Sequence, residues 1–260
     1  MEVVAHLPPA LLSHLRIVLG HEHRLVSAAD WGSLDGIVRR TPVDVAVLDP
    51  NADGVARITE VVDLARRYPS LPIVLYTVLA PPTLKAVVEL SKHGVHQVVL
   101  HRFDDEPRRF LETLEQQPDL ALGDQLLERL AVPLALLPIV LGRAIERMYR
   151  RPGRYAVAGD LAASAGMPRR TMYRLVEAAG LASPSMLVRG ARLLRAYTYL
   201  RDAGHSTEDV AFKTGYSSRQ LFARHVNELF GVRPTELRRC VGPEEFVRRL
   251  SGALYVDTQR

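Results

Sequence analysis

A chain of 260 residues, 47% hydrophobic and 24% charged, holds enough material for two domains with cores of their own and excludes a disordered or fibrous protein. Its single cysteine, Cys240, excludes an internal disulfide framework and suits a reducing compartment. The net charge of +5 is uneven: residues 150–240 hold 16 Lys/Arg against 7 Asp/Glu, or +9, and the remainder carries −4. A positive potential gathered on one segment is what a polyanionic partner requires, although a solvated basic face gives the same count.

Met1-Glu-Val-Val-Ala-His lacks a basic leader. The longest apolar run, Leu130 to Leu141, is too short for a bilayer and contains Pro133 and Pro138. A cytoplasmic protein without membrane contact is expected.

From Met1 to about Phe103, short apolar runs alternate with helical patterns, the sign of a parallel sheet covered by helices. The strands are expected at Glu2–Leu7, Arg24–Ala28, Val43–Leu48, Pro72–Tyr76 and His96–Leu100. Helices are expected between them, near Pro9–Leu19, Gly32–Arg39, Val55–Arg67 and Pro82–Lys92. The β-branched run ending at Asp49 reads as an interior strand. Gly32, Gly36 and Gly54 do not have the spacing of a nucleotide-binding loop.

Five such strands with a carboxylate after the third resemble the flavodoxin-like receiver domain of two-component response regulators. Asp49 stands at that family's phosphoacceptor place and Thr77 at its hydroxyl place. The resemblance implies acidic metal ligands after the first strand and a lysine after the fifth. This chain instead has Leu7-Pro8-Pro9 and His101-Arg102. Phosphoryl transfer needs a metal and fixed cations to neutralise the transferring group. The expected role is therefore that of a degenerate receiver, serving assembly or signal reception without phosphorylation. A response regulator controlled through Asp49 is the alternative, and a hydrogen-bonded strand-end role is the plain structural one.

Residues 104–150 read as connecting helices: one at Asp104–Gln117 followed by Pro118, then Leu120–Leu130 and Leu137–Tyr149. The leucine-rich stretch from Leu126 to Leu137 suits either a dimerisation element or packing into a neighbouring core. Arg150-Arg151-Pro152-Gly153-Arg154 marks the entry to a basic module expected over residues 151–240, with 241–260 as a C-terminal tail.

Within that module Asp160 to Gly180 reads as helix, turn at Gly166, and a second helix opened by Pro168, where a missing N–H costs nothing. Leu161, Ala162, Met172, Leu175 and Val176 form its buried side. Arg169, Arg170, Tyr173, Arg174 and Glu177 are left facing out. Pro184–Arg201 is an uninterrupted helix of about 27–30 Å at 1.5 Å per residue, close to the roughly 34 Å of one DNA turn.

Ser206 to Arg239 repeats the plan. Ser206 caps a helix with Asp209 in capping-box spacing, Gly215 turns the chain, and Ser217 caps a second helix that Gly231 and Pro234 end. Leu221, Phe222, Val226 and Leu229 share its apolar face. Ser218, Arg219, Gln220, Ala223, Arg224 and Asn227 remain for DNA. Ala211-Phe-Lys-Thr-Gly-Tyr-Ser, with Phe222, Arg224, Phe230-Gly231, Pro234 and Arg238, resembles the signature of the AraC/XylS-type transcription regulators, with Val226 where that family carries an aromatic. The resemblance implies a module of two helix-turn-helix units on a connecting helix, which Arg192 and Ala196 also match.

The fold class expected is thus α/β plus all-α, and the function a sequence-specific regulator reading double-stranded DNA with two helices in successive major grooves. Arg170, Tyr173, Arg219 and Gln220 suit base edges. Arg174 and Arg224 hold the family's recurring arginine position and suit phosphates or a bridge to the framework. Arg189, Arg192, Lys213, Arg233 and Arg238 read as phosphate contacts or solvated charges. A second copy of the chain, through the receiver-like domain or the connecting helices, and RNA polymerase or another regulator are the protein partners considered. A protein-only adaptor that has lost DNA is the reading from another class. No enzyme activity, metal or cofactor is expected. Cys240 lacks the Pro-Cys-His context of methyl-transfer fusions, and His21, His23, His93 and His96 bring too few ligands together for a metal.

Overall fold

The computed structural model describes residues 1–115 and 121–255. The chain divides into two compact units, Met1–Pro118 with Asp202–His205, and Asp119–Arg201 with Ser206–Arg260.

The first unit is a five-stranded sheet of β1 (Glu2–His6), β2 (Arg24–Ser27), β3 (Val45–Leu48), β4 (Ile73–Thr77) and β5 (Gln97–Leu100), in the order β2-β1-β3-β4-β5. Every pairing is parallel, with Val4 opposite Ala46, Val47 opposite Val74 and Tyr76 opposite Val99. This is the doubly wound, flavodoxin-like order. Helices α1 (Pro9–Leu19), α2 (Trp31–Arg40), α3 (Ile58–Arg67), α4 (Pro81–Ser91) and α5 (Pro107–Glu115) cover it. Alternation along each strand divides the core. Val3, Ala5, Val45, Val47, Val74 and Tyr76 pack with Leu11, Leu15, Phe110 and Leu114, whereas Val4, Ala46, Leu48, Ile73 and Leu75 pack with Leu34, Val61, Leu64 and Leu90.

Two helices begin later than their periodicity predicts. Turns from Asp49 to Ala52 and Asn51 to Gly54, closed by the Arg57 amide on the Pro50 carbonyl at 2.8 Å, hold α3 back to Ile58. Turns onto the Leu100 carbonyl and the engaged Asp105 side chain delay α5 to Pro107. The expected end of that helix, with Pro118, and the expected start at Leu120 lie outside the described residues.

The second unit is helical: α6 (Ala121–Arg129), α7 (Ala131–Ala135), α8 (Ile139–Arg150), α9 (Ala158–Ser164), α10 (Arg169–Ala178), α11 (Pro184–Arg201), α12 (Thr207–Lys213), α13 (Arg219–Phe230), α14 (Pro234–Cys240) and α15 (Pro243–Leu254). The residues read as one connector thus divide between the units. Leu126, Leu130, Leu134, Leu141, Ile145 and Met148 belong to the same buried cluster as the rest of this unit, while Val132, Leu136, Ile139 and Val140 are exposed. Residues 241–260, expected as a tail, contain α15, whose Phe246, Val247, Leu250 and Leu254 are buried. The Phe246 ring stacks on Tyr197 of α11 at 4.0 Å and on Phe230 of α13 at 4.8 Å. Burying such a ring contributes about 1.5–3 kcal/mol, which a loose tail would forgo.

Candidate nucleic-acid interface

The first helix pair is set by local chemistry. Asp160 Oδ2 accepts from the Ala156 and Val157 amides at 2.7 and 2.9 Å, satisfying donors at the start of α9. Gly166, at φ +61°, makes the turn in a conformation that side chains disfavour. Pro168 then precedes α10, and Met172 and Val176 face the core. The consequence is an outer face of Arg169, Arg170, Tyr173, Arg174 and Glu177, all exposed. The Tyr173 hydroxyl lies 2.8 Å from Ser185 Oγ at the start of α11, which orients the ring.

The second pair repeats this plan. Ser206 Oγ accepts from the Asp209 amide at 3.1 Å, and Asp209 Oδ2 accepts from the Ser206 amide at 2.9 Å, the reciprocal capping box. Gly215, at φ +79°, stands where Gly166 stands in the first pair. The cap of α13 is Ser218, whose Oγ accepts from the Leu221 amide at 3.1 Å; the expectation of Ser217 was off by one residue. Ser218 is half-buried and engaged in this cap. Phe222, Val226 and Phe230 are buried, so Arg219, Gln220, Arg224 and Asn227 are exposed on the other side with half-buried Ala223 beside them.

The lesser cations have diverse fates. Lys213 is buried, with Nζ 4.0 Å from the centre of the Tyr199 ring. Arg192 donates to the Ala156 carbonyl and its guanidinium lies 6.0 Å from the centre of the Tyr216 ring, so it ties α11 to both helix pairs. Burial, opposed by the charges of Arg192 and Arg189, leaves the Tyr216 hydroxyl pushed up to about 12. Arg189 is 3.4 Å from Glu228, and Arg224 is 3.7 Å from the other oxygen of the same carboxylate. Sequence reasoning missed Glu228. Its position one turn after Arg224 is the signal that would have found it. Arg233 and Arg238 lie on or beside α14, exposed and half-buried.

In the first unit Asp49 is buried at the end of β3, and its Oδ1 accepts from the Asn51 amide at 2.9 Å and from Thr77 Oγ1 at 3.0 Å. Burial raises the carboxyl above its ordinary value, with those two bonds and His6 acting the other way. His6, ending β1, places Nε2 3.4 Å from Asp53 and Nδ1 3.2 Å from the Ala28 carbonyl. His101, at the place of the receiver lysine, directs Nδ1 to Tyr76 and Asp105. Among the described residues, no helix is long and apolar enough to cross a membrane.

The helix-turn-helix domain family matches residues 161–240. Among solved structures the chain is similar to full-length FixJ from B. japonicum, with 16% identity over 86% of this chain and 95% of that one and a TM-score of 0.40. No curated protein matches the chain. With both helix pairs in place around α11, residues 161–240 are a DNA-binding helix-turn-helix domain of the AraC type, joined to an N-terminal domain of receiver-like fold.

Proposed function

We propose that the chain is a cytoplasmic, sequence-specific transcription regulator that reads two successive major grooves of one duplex with α10 and α13. The observation that carries this reading is the equivalent outward face of the two helices, Arg169, Arg170, Tyr173 and Arg174 on one and Arg219, Gln220, Arg224 and Asn227 on the other. Both pairs pack with the 18-residue α11, about 27 Å long, which suits the roughly 34 Å repeat of B-DNA. Arg170, Tyr173, Arg219 and Gln220 read bases in this scheme, with Arg174 and Arg224 on phosphates.

The N-terminal domain acts in assembly or signal reception without phosphorylation. Support comes from the engaged Asp49 carboxylate and from Leu7-Pro8 where a receiver's metal ligands would stand. The exposed Val132, Leu136, Ile139 and Val140 favour a second copy of the chain as the partner of the helices after residue 120. Selection of bound duplexes from a random pool tests the DNA reading. Two conserved blocks about one turn apart per monomer are expected. One block alone would remove the two-groove scheme, and absence of salt-dependent binding to any duplex would favour the protein-only adaptor.

A further inference from the structure

Four side chains from three separate stretches of the sequence meet in the first unit at the end of the sheet between α1 and the segment after β5. His14 comes from α1, Tyr76 from β4, and His101 and Asp105 follow β5. The Tyr76 hydroxyl lies 2.8 Å from His14 Nδ1, 2.8 Å from His101 Nδ1 and 2.8 Å from Asp105 Oδ2. Asp105 Oδ2 is itself 2.5 Å from His101 Nδ1 and 3.5 Å from His14 Nδ1, and the imidazole and carboxylate donor atoms all fall within 4.8 Å of one another.

We propose that His14, His101, Asp105 and Tyr76 form a binding site for a divalent transition-metal ion of the zinc class. Tetrahedral zinc with ligands at about 2.0–2.1 Å places its donor atoms roughly 3.3 Å apart, and the separations here bracket that edge. Two imidazole nitrogens, a carboxylate and a phenol oxygen suit zinc and its neighbours. Calcium and magnesium prefer oxygen alone.

Arg102 has φ +67°, a left-handed conformation that such a residue avoids, and its amide donates to Asp105 Oδ1 at 2.8 Å. That bond fixes the carboxylate so that Oδ2 faces the histidines, the outer-shell orientation a metal ligand requires. His14 and His101 keep 27% and 21% of their side-chain surface exposed, and Asp105 10%, which leaves an entry path from water. Each imidazole binds through Nδ1 with its proton on Nε2, and an ion replaces the hydrogen bonds centred on the Tyr76 hydroxyl.

The full chain, freed of purification tag and chelator-stripped, is to be titrated calorimetrically with zinc chloride and spectroscopically with cobalt(II). One ion per chain and the visible bands of four-coordinate cobalt are expected, with affinity lowered about tenfold or more in His101→Ala and Asp105→Asn. Tyr76→Phe keeps the ring packed and removes only the oxygen, so it answers the question even where the other variants fold poorly. It too is expected to bind more weakly and to shift the cobalt bands. A wild type that binds neither ion at micromolar concentration, or folded variants that bind as the wild type does, would overturn the assignment and leave a hydrogen-bonded cluster only.

Discussion

The Thr77 hydroxyl donates to Asp49 Oδ1 across 3.0 Å, joining the ends of two adjacent parallel strands. The same oxygen accepts from the Asn51 amide. Asp49→Ala therefore strands the buried Thr77 hydroxyl and the half-buried Asn51 amide. A loss of about 1–3 kcal/mol is expected in urea unfolding of the N-terminal unit. Incubation of the wild type with a small phosphodonor and Mg²⁺ is expected to leave the intact mass unchanged. A labile adduct that disappears in Asp49→Asn would restore phosphorylation as the control.

Asp49 also sets a pH dependence. Its folded value is raised, first by burial, so the protonated form is the one folding favours. The stability it contributes is full below the unfolded carboxyl value and is lost as pH rises through the raised folded value. Asp49→Asn, which cannot ionise, is expected to flatten this fall in the acid limb of the stability profile. Unfolding midpoints across the acid range check it, and an unchanged slope would deny the shift.

On the DNA side, Arg170→Ala and Arg219→Ala should each cost about 1–3 kcal/mol on the selected site and relax specificity at separate positions. Arg174→Ala and Arg224→Ala should weaken binding to all sequences and make the salt slope shallower. Titrations at several salt concentrations distinguish the two kinds. Unchanged affinity in both Arg170 and Arg219 variants would remove those helices from the interface.

Ser218→Ala removes the cap from α13. A stability loss of about 0.5–2 kcal/mol is expected by thermal or denaturant unfolding, whereas Ser217→Ala should be nearly silent because the Leu221 amide bonds to Ser218. Equal effects at both positions would contradict the observed cap.

Phe246→Ala removes the middle ring of a stack and should cost about 3–5 kcal/mol, unfolding the helical unit at a lower denaturant concentration. An effect below about 1 kcal/mol would mean that α15 is dispensable.

Much of the fold was legible because local signals agreed. Pro9 to Leu19 and Pro184 to Arg201 form helices over the residues their prolines and periodicity indicate. The two glycine turns and the capping box at Ser206 likewise carry their own geometry. Adjacent Ser217 and Ser218 offer the same hydroxyl, and only the register of Leu221 chooses between them. The stripe of Phe246, Val247, Leu250 and Leu254 was readable, but its meaning depends on Tyr197 and Phe230, which lie elsewhere in the chain. Lys213 and Arg192 read as phosphate contacts or solvated charges because a cation over an aromatic ring leaves no local trace. For the same reason no spacing announced the meeting of His14 with His101 and Asp105, which needs the sheet order before it exists.

Tyr197, Phe246 and Phe230 form a column of nearly parallel rings, with interplanar angles of 14° and 16°. A column of that kind acts as a strut between α11 and the end of α13. The pitch of α13 is thus set in part by packed aromatics. If both reading helices engage one duplex, the mismatch between a spacer of about 27 Å and a helical repeat of about 34 Å falls on the nucleic acid. Operators that curve readily would then be preferred over stiff ones, even at base pairs that no side chain touches.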